Sequence, residues 1–295
     1  MADANFLLAQ FARHLLVERG LSPRTGQTYA IHLNGYATFL SSRRRDIPDA
    51  SRADILAYLE RRQRQGVRPS TLFGAAIAIR QFHRFLAANG HAAADPATSM
   101  PLPKLRQRLP KPFSEEEMRR LLDQPWGGRF DDVRNQAMIE LLYATGMRVS
   151  ELTSLSAEQI NLKEGWVRIL GKGMKERIVP VGPRAVAAIL RYQEARRRRF
   201  AAAGEPFFLS VRGRPLTRGA LWFILRNVAR SVGLTGRIFP HRIRHSAATH
   251  LLAGGADLRV IQELLGHASV VTSQRYTHVT ANLLKKTCQR AHPRF

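Results

Sequence analysis

Five prolines fall between residues 96 and 112 of this 295-residue chain: Pro96, Pro101, Pro103, Pro110 and Pro112. Proline fixes φ and has no N–H to give to a helix or a sheet, so a stretch this dense belongs to neither. It must divide the chain. Lys104, Arg106, Arg108 and Lys111 are interspersed, so the stretch reads as an extended basic linker able to track a phosphate backbone. The length suits two domains. The expected division is a helical domain over 1–95, a linker over 96–112 and a second domain over 113–295.

The first ninety residues carry helical periodicity and cap signals. Leu7, Phe11 and Leu15 recur at i, i+4, i+8. Ser22-Pro23 opens a second helix, with Tyr29, Leu33, Tyr36 and Leu40 on one face. Ser51 and Asp54 form the acid variant of a capping box, and Gly66 stops that helix. A fourth helix follows Pro69-Ser70 and stops at Asn89-Gly90. Four one-sided stripes predict one small shared core.

The second half is mostly helical with one interruption. Ser114 and Glu117 form a capping box, a helix from about 132 ends at Gly146, and another starts near 149. Residues 166–170 and 177–181 switch to period two around Gly171-Lys172-Gly173-Met174-Lys175-Glu176, which predicts a β-hairpin. Helices are expected at about 183–203, 217–232, 241–253, 257–265, 270–277 and 280–290. The fold class is mostly α with a small antiparallel β-sheet.

Charge narrows the function. Forty-seven Lys and Arg face 22 Asp and Glu, a net +25, and residues 101–295 hold +19 of it. A folded chain this basic predicts a polyanionic partner, with double-stranded DNA or RNA leading. One cysteine, Cys288, excludes an internal disulfide framework. No basic leader and no membrane-length apolar run is present, so a cytoplasmic protein is expected. There is no Walker loop, no GxGxxG after a strand and no carboxylate cluster of the kind that holds Mg²⁺, so no cofactor and no metal are expected. His241 and His245 have the i, i+4 spacing of a zinc pair, but Arg242 and Arg244 set cations against a further cation.

The same segment suits an anion. His241 and Arg244 share a face at the start of a helix, where the dipole adds positive charge. Arg148 follows a helix end at Gly146, with Glu151 at i+3 placed to fix its guanidinium. Lys172 sits between two glycines at a hairpin tip. His267 follows the helix stop Gly266, and Tyr276 shares a helix face with Thr272. Singly, each has an ordinary reading: an interdomain ion pair, a turn lysine, a helix-stop hydrogen bond, a half-buried ring. Together, two arginines, two histidines, a lysine and a tyrosine make a metal-free phosphoryl-transfer site with a tyrosine nucleophile.

These residues stand in motifs. Ala144-Thr145-Gly146-Met147-Arg148-Val149-Ser150-Glu151-Leu152 resembles the first arginine box of the tyrosine recombinases. Gly171-Lys172-Gly173 with Lys175-Glu176-Arg177 resembles their hairpin lysine. His241-Arg242-Ile243-Arg244-His245 is similar to their H-x-x-R-H box, and Leu264-Leu265-Gly266-His267 and Tyr276-Thr277-His278 to the last two boxes. The order is the family's, and the similarity covers the whole chain. It leans to the Xer branch through Lys104–Lys111 and Ala291-His292-Pro293-Arg294, although Ser273 and Arg275 depart from that branch's usual T-T-Q-I-Y.

The resemblance implies an N-terminal four-helix core-binding domain and a tyrosine-recombinase catalytic domain that clamp a duplex. It implies that Tyr276 forms a 3′-phosphotyrosyl bond, with His241 as base, Arg148 and Arg244 on the non-bridging oxygens, His267 as a further donor and Lys172 as acid. It also implies a homo- or hetero-tetramer with a paralogous recombinase on two sites, a tail helix docked on the neighbouring protomer, chromosome-dimer resolution at a dif-like site, and control by a septal DNA translocase. The alternatives are an integrase of a phage or mobile element without an arm-binding domain, a non-catalytic DNA-binding relative, and a type IB topoisomerase.

Overall fold

The computed structural model describes residues 4–102, 111–171, 176–200, 205–236, 238–266 and 278–295. The chain forms two compact units, Met1–Arg108 and Leu109–Phe295. Among the described residues no helix is long and apolar enough to cross a membrane.

The first unit holds α1 (Ala4–Val17), α2 (Pro23–Ser42), α3 (Arg52–Arg64) and α4 (Pro69–Ala88). The expected caps form: the Ser22 hydroxyl accepts from the Thr25 N–H, and Ser51 and Asp54 close a reciprocal box. Leu7, Phe11, Leu15, Tyr36 and Phe82 meet in one core. Past α4 the chain stays with this unit. Asp95 accepts from the Ala97 N–H at 2.9 Å, and Ala97 and Met100 are buried in the same core. Pro96 blocks a helix but permits such a turn, so residues 96–100 are a packed turn where an extended spacer was expected. Residues 103–110 lie outside the described region.

The second unit starts with α5 (Glu115–Leu122), opened by the Ser114–Glu117 box, and α6 (Phe130–Thr145). α7 (Val149–Thr153) leads to a sheet of β1 (Ile160–Asn161), β2 (Trp166–Leu170) and β3 (Glu176–Pro180) in the order β1-β2-β3, antiparallel throughout. The hairpin is the expected one, with Leu170 opposite Glu176; β1 was not anticipated. α8 (Pro183–Arg199), α9 (Arg218–Ser231), α10 (Pro240–Ala253), α11 (Leu258–Leu265) and α12 (His278–Ala291) complete the unit. The helix expected over 270–277 lies outside the described residues. α6 is the axis of this unit: from Ala137 to Thr145 every residue is buried.

Within the chain, α12 packs on its own unit. Leu284, Cys288 and Ala291 enter the same core as α6 and α10. Burial pushes the His292 imidazole down to about 4, so it is neutral; its Nε2–H donates to the Tyr143 carbonyl oxygen at 3.2 Å. Arg294 donates to Asp123 at 2.6 Å and to Glu140, whose side chain is 3% exposed. The physical reason is this polar lock, which the apolar count of the helix does not reveal. Removing one partner of a buried ion pair strands the other charge, at about 3–5 kcal/mol. Arg294→Ala is therefore expected to destabilise the second unit on that scale in denaturant melts. Arg294→Met with Glu140→Leu should recover most of the loss. A single variant within 1 kcal/mol of the parent would remove the lock from this account.

Candidate active site

The site is built around the end of one helix. α6 stops because Gly146 takes φ +58, a left-handed conformation that costs other residues a Cβ clash. A Cβ there would lie 2.6 Å from Leu265 Cδ2, so the end of α6 nests against the end of α11. α11 stops the same way, at Gly266 with φ +63, after starting from an Asp257 side chain that accepts from the Arg259 N–H.

Arg148 is the residue before α7 and has extended geometry. Glu151, one turn on, reaches back: its Oε2 accepts the Arg148 backbone N–H at 2.7 Å and its Oε1 accepts Arg148 Nη1 at 2.8 Å. The i+3 spacing predicted this pairing. From β3, Arg177 grips the same carboxylate with both ends of its fork, Nη1 to Oε1 at 3.1 Å and Nη2 to Oε2 at 2.8 Å. Arg244, in the second turn of α10, donates to the Gly146 carbonyl oxygen at 2.7 Å.

All three arginines also reach the C-terminus of α11. Arg177 Nε donates to the Leu264 carbonyl oxygen at 2.9 Å, Arg244 Nη2 to that of Leu265 at 2.7 Å and Arg148 Nη2 to that of Gly266 at 3.2 Å. The last carbonyls of a helix have no partner within it and carry its negative partial charge. Here each of three consecutive carbonyls receives one guanidinium, each from a different element.

The electrostatics follow from the count among the described residues: three guanidiniums converge, and two of them, Arg148 and Arg177, pair with the Glu151 carboxylate. Glu151 and Arg177 side chains are each 5% exposed, whereas Arg148 is 36% exposed. Burial, with Arg148 and Arg177 alongside, pushes the Arg244 guanidinium down to about 10. Burial opposes ionisation of Glu151, but the Arg177 and Arg148 contacts outweigh it and hold the carboxyl below its ordinary value. The cluster is short of negative charge, and Arg148 opens it to solvent. It is built to receive an anion with oxygen acceptors.

His241 lies in the first turn of α10, three residues before Arg244 and exposed; it makes no hydrogen bond to a described residue. Arg242 does structural work. Its Nε donates to the Lys111 carbonyl oxygen at 2.8 Å and its guanidinium lies 3.8 Å from the Phe113 ring centre. Lys172, His267 and Tyr276 lie outside the described residues. The structure thus brings Arg148 and Arg244 together, with His241 on the helix of the latter.

Two other tyrosines of this unit are occupied. His250 Nε2–H donates to the Phe113 carbonyl oxygen at 2.9 Å, and burial lowers its pKa, so its free Nδ1 accepts the Tyr143 hydroxyl at 2.8 Å. Tyr192 donates to the Phe207 carbonyl oxygen at 3.1 Å and accepts from the Leu209 N–H at 3.0 Å. Burial raises the pKa of both phenols.

Arg177 is the residue whose place the sequence motif did not reveal. A signal was present. In Glu176-Arg177-Ile178-Val179-Pro180 the inward phase holds Arg177 and Val179, and an arginine on the buried phase of a strand requires an anionic partner.

Comparison with known proteins agrees along the whole chain. Residues 111–282 match the Phage integrase family and residues 8–90 match Phage integrase, N-terminal SAM-like domain. A protein of Halalkalibacterium halodurans named Tyrosine recombinase XerD is 42% identical over 298 residues, with all of both chains covered. One of the same name from Pseudomonas putida is 40% identical, covering 98% of this chain and 97% of its own. In fold, the crystal structure of XerH site-specific recombinase bound to palindromic difH substrate superposes with a TM-score of 0.75 at 23% identity, over 98% of this chain and 85% of its own.

Proposed function

The chain belongs to the phage integrase family, and from that premise we propose that it is a tyrosine recombinase that cuts and rejoins double-stranded DNA through a 3′-phosphotyrosyl intermediate. The observation that carries the reading is the arginine cluster, three guanidiniums of which two pair with Glu151 and the third holds backbone carbonyls, with Arg148 open to solvent. A phosphodiester brings the missing negative charge and two non-bridging oxygens that a guanidinium fork fits.

The Tyr276 oxygen attacks phosphorus and the bond to the 5′-oxygen breaks. The phenol, with an ordinary pKa near 10, loses its proton to His241. Lys172 supplies a proton to the departing 5′-oxygen. Arg148 and Arg244 balance the charge that builds on the non-bridging oxygens, and His267 adds a hydrogen bond there. One phosphoester is exchanged for another, so no nucleotide is hydrolysed. Reversal by the 5′-hydroxyl of a partner strand joins new ends. The occupied hydroxyls of Tyr143 and Tyr192 support Tyr276 as the nucleophile.

The finer reading is chromosome-dimer resolution at a dif-like site. The enzyme would act in the cytoplasm as a tetramer on two sites, with a paralogous recombinase and under a septal DNA translocase. It rests on the XerD relatives and on the Xer-like motifs of the sequence. Mapping the DNA bound in cells tests it: one chromosomal site near the terminus is expected, and occupancy confined to a mobile element's attachment site overturns it. The chemistry is tested on a duplex nicked so that the 5′-end is lost after cleavage. A covalent adduct is expected to accumulate at the same rate in EDTA and in Mg²⁺, on a peptide containing Tyr276. An adduct that requires one particular ion would contradict this site.

A further inference from the structure

Building on the recombinase reading, we propose that Arg177 is a positioning residue for strand cleavage, joining the hairpin strand, the phosphate-gripping Arg148 and the end of α11 through one buried guanidinium.

Arg177 touches three things at once. Its fork closes on both oxygens of Glu151, at 3.1 and 2.8 Å, and those same oxygens fix Arg148 through its backbone N–H and its Nη1. Its Nε holds the Leu264 carbonyl oxygen at 2.9 Å. A Cβ at Gly266 would lie 3.1 Å from Arg177 Cδ and Nη1, so the left-handed stop of α11 is shaped around this side chain.

Each contact leads to a different part of the chemistry. Through Glu151 it sets the angle of Arg148, which is 36% exposed and has no second carboxylate to orient it among the described residues. Through Leu264 it fixes where α11 ends, two residues before His267 in the sequence. Through β3 it belongs to the strand that leaves the Lys172 hairpin. A lysine in its place carries the charge but has one point of attachment, so it cannot hold both carboxylate oxygens and the helix end together.

Arg177 also keeps Glu151 ionised. A buried carboxylate relieved of an opposite charge rises in pKa by about 1 unit or more. Protonated, Glu151 loses its hold on Arg148. The loss of Arg177 must therefore appear in the pH dependence of cleavage as well as in its rate.

The test is single-turnover cleavage of the nicked duplex from pH 5 to pH 9, beside duplex affinity, in Arg177→Lys and Arg177→Gln. The wild-type adduct on this substrate is the control for the recombinase reading itself; its absence overturns that reading and this proposal with it. With that adduct present, Arg177→Lys is expected to cleave about 10- to 100-fold more slowly at pH 7.5, the scale of a small misplacement of a reacting group. Affinity should stay within about 3-fold, since Arg177 is buried away from the ligand. The acid limb should stay near its wild-type place in Arg177→Lys, which keeps a cation beside Glu151, and move up by about 1 pH unit or more in Arg177→Gln, which does not; if the glutamine variant does not fold, the rate and affinity of the lysine variant decide. A rate equal to wild type, or a loss equal at every pH and matched by lost affinity, overturns the proposal.

Discussion

Tyr276→Phe is expected to bind the nicked duplex as tightly as the parent and to form no covalent adduct, a loss of roughly 10⁴-fold or more, as for removal of a nucleophile. The substitution deletes one oxygen and leaves the basic surface intact, so affinity should not move. Rescue by another tyrosine of the second unit is closed off by geometry. The Tyr143 hydroxyl is spent on neutral His250 and that of Tyr192 on the backbone at Phe207 and Leu209, each inside the core. Adduct on a denaturing gel, followed by peptide mapping, is the measurement. Normal adduct in the phenylalanine variant would move the nucleophile elsewhere and end the assignment.

Glu151→Ala is expected to damage both stability and catalysis. Among the described residues the carboxylate is the one anion beside Arg148, Arg177 and Arg244. Without it, buried Arg177 keeps only the Leu264 carbonyl oxygen among the described residues, and three like charges stand close together. Stranding a buried charge in this way costs about 3–5 kcal/mol. At about 2–4 °C per kcal/mol for a unit of this size, melting should fall by about 10 °C. Glu151→Gln retains one oxygen acceptor and should lose less. The sign of the acid dependence is also fixed. The folded-state pKa of Glu151 lies below its ordinary value of 4.5, so its contribution is complete above 4.5 and is lost as pH falls through the folded value. Calorimetry of both variants from pH 4 to pH 8 checks this; equal melting of Glu151→Ala and the parent at pH 7 would refute the role given to the carboxylate.

What the sequence made legible was local. Ser22-Pro23, Ser51 with Asp54, Ser114 with Glu117, and Asp257 with Gly266 mark helix ends because each cap is closed within a few residues. The Arg148–Glu151 pair was readable for the same reason. What escaped needed contacts across the chain. β1 is two residues long and exists only through its pairing with β2. Ala97 and Met100 fall in a proline-rich stretch, yet pack into the first core. The pattern of α12 calls for an apolar groove without saying whose; within the chain, His292 and Arg294 hold the tail to Tyr143 and Glu140, about 150 residues upstream. Arg177 stands within the hairpin motif, but its bond to Glu151 spans strand and helix.

The arrangement at the end of α11 has a consequence for the order of synthesis. Its guanidinium–carbonyl bonds span 118 residues for Arg148, 87 for Arg177 and 21 for Arg244. Contacts so distant in sequence pay their loop-closure entropy late, and these three bonds cannot close before α11 has left the ribosome, although the Glu151 contacts with Arg148 and Arg177 can. A nascent or truncated chain therefore carries the arginines without the carbonyls that aim them. Such a chain would keep the charge that attracts nucleic acid while lacking the completed arginine frame.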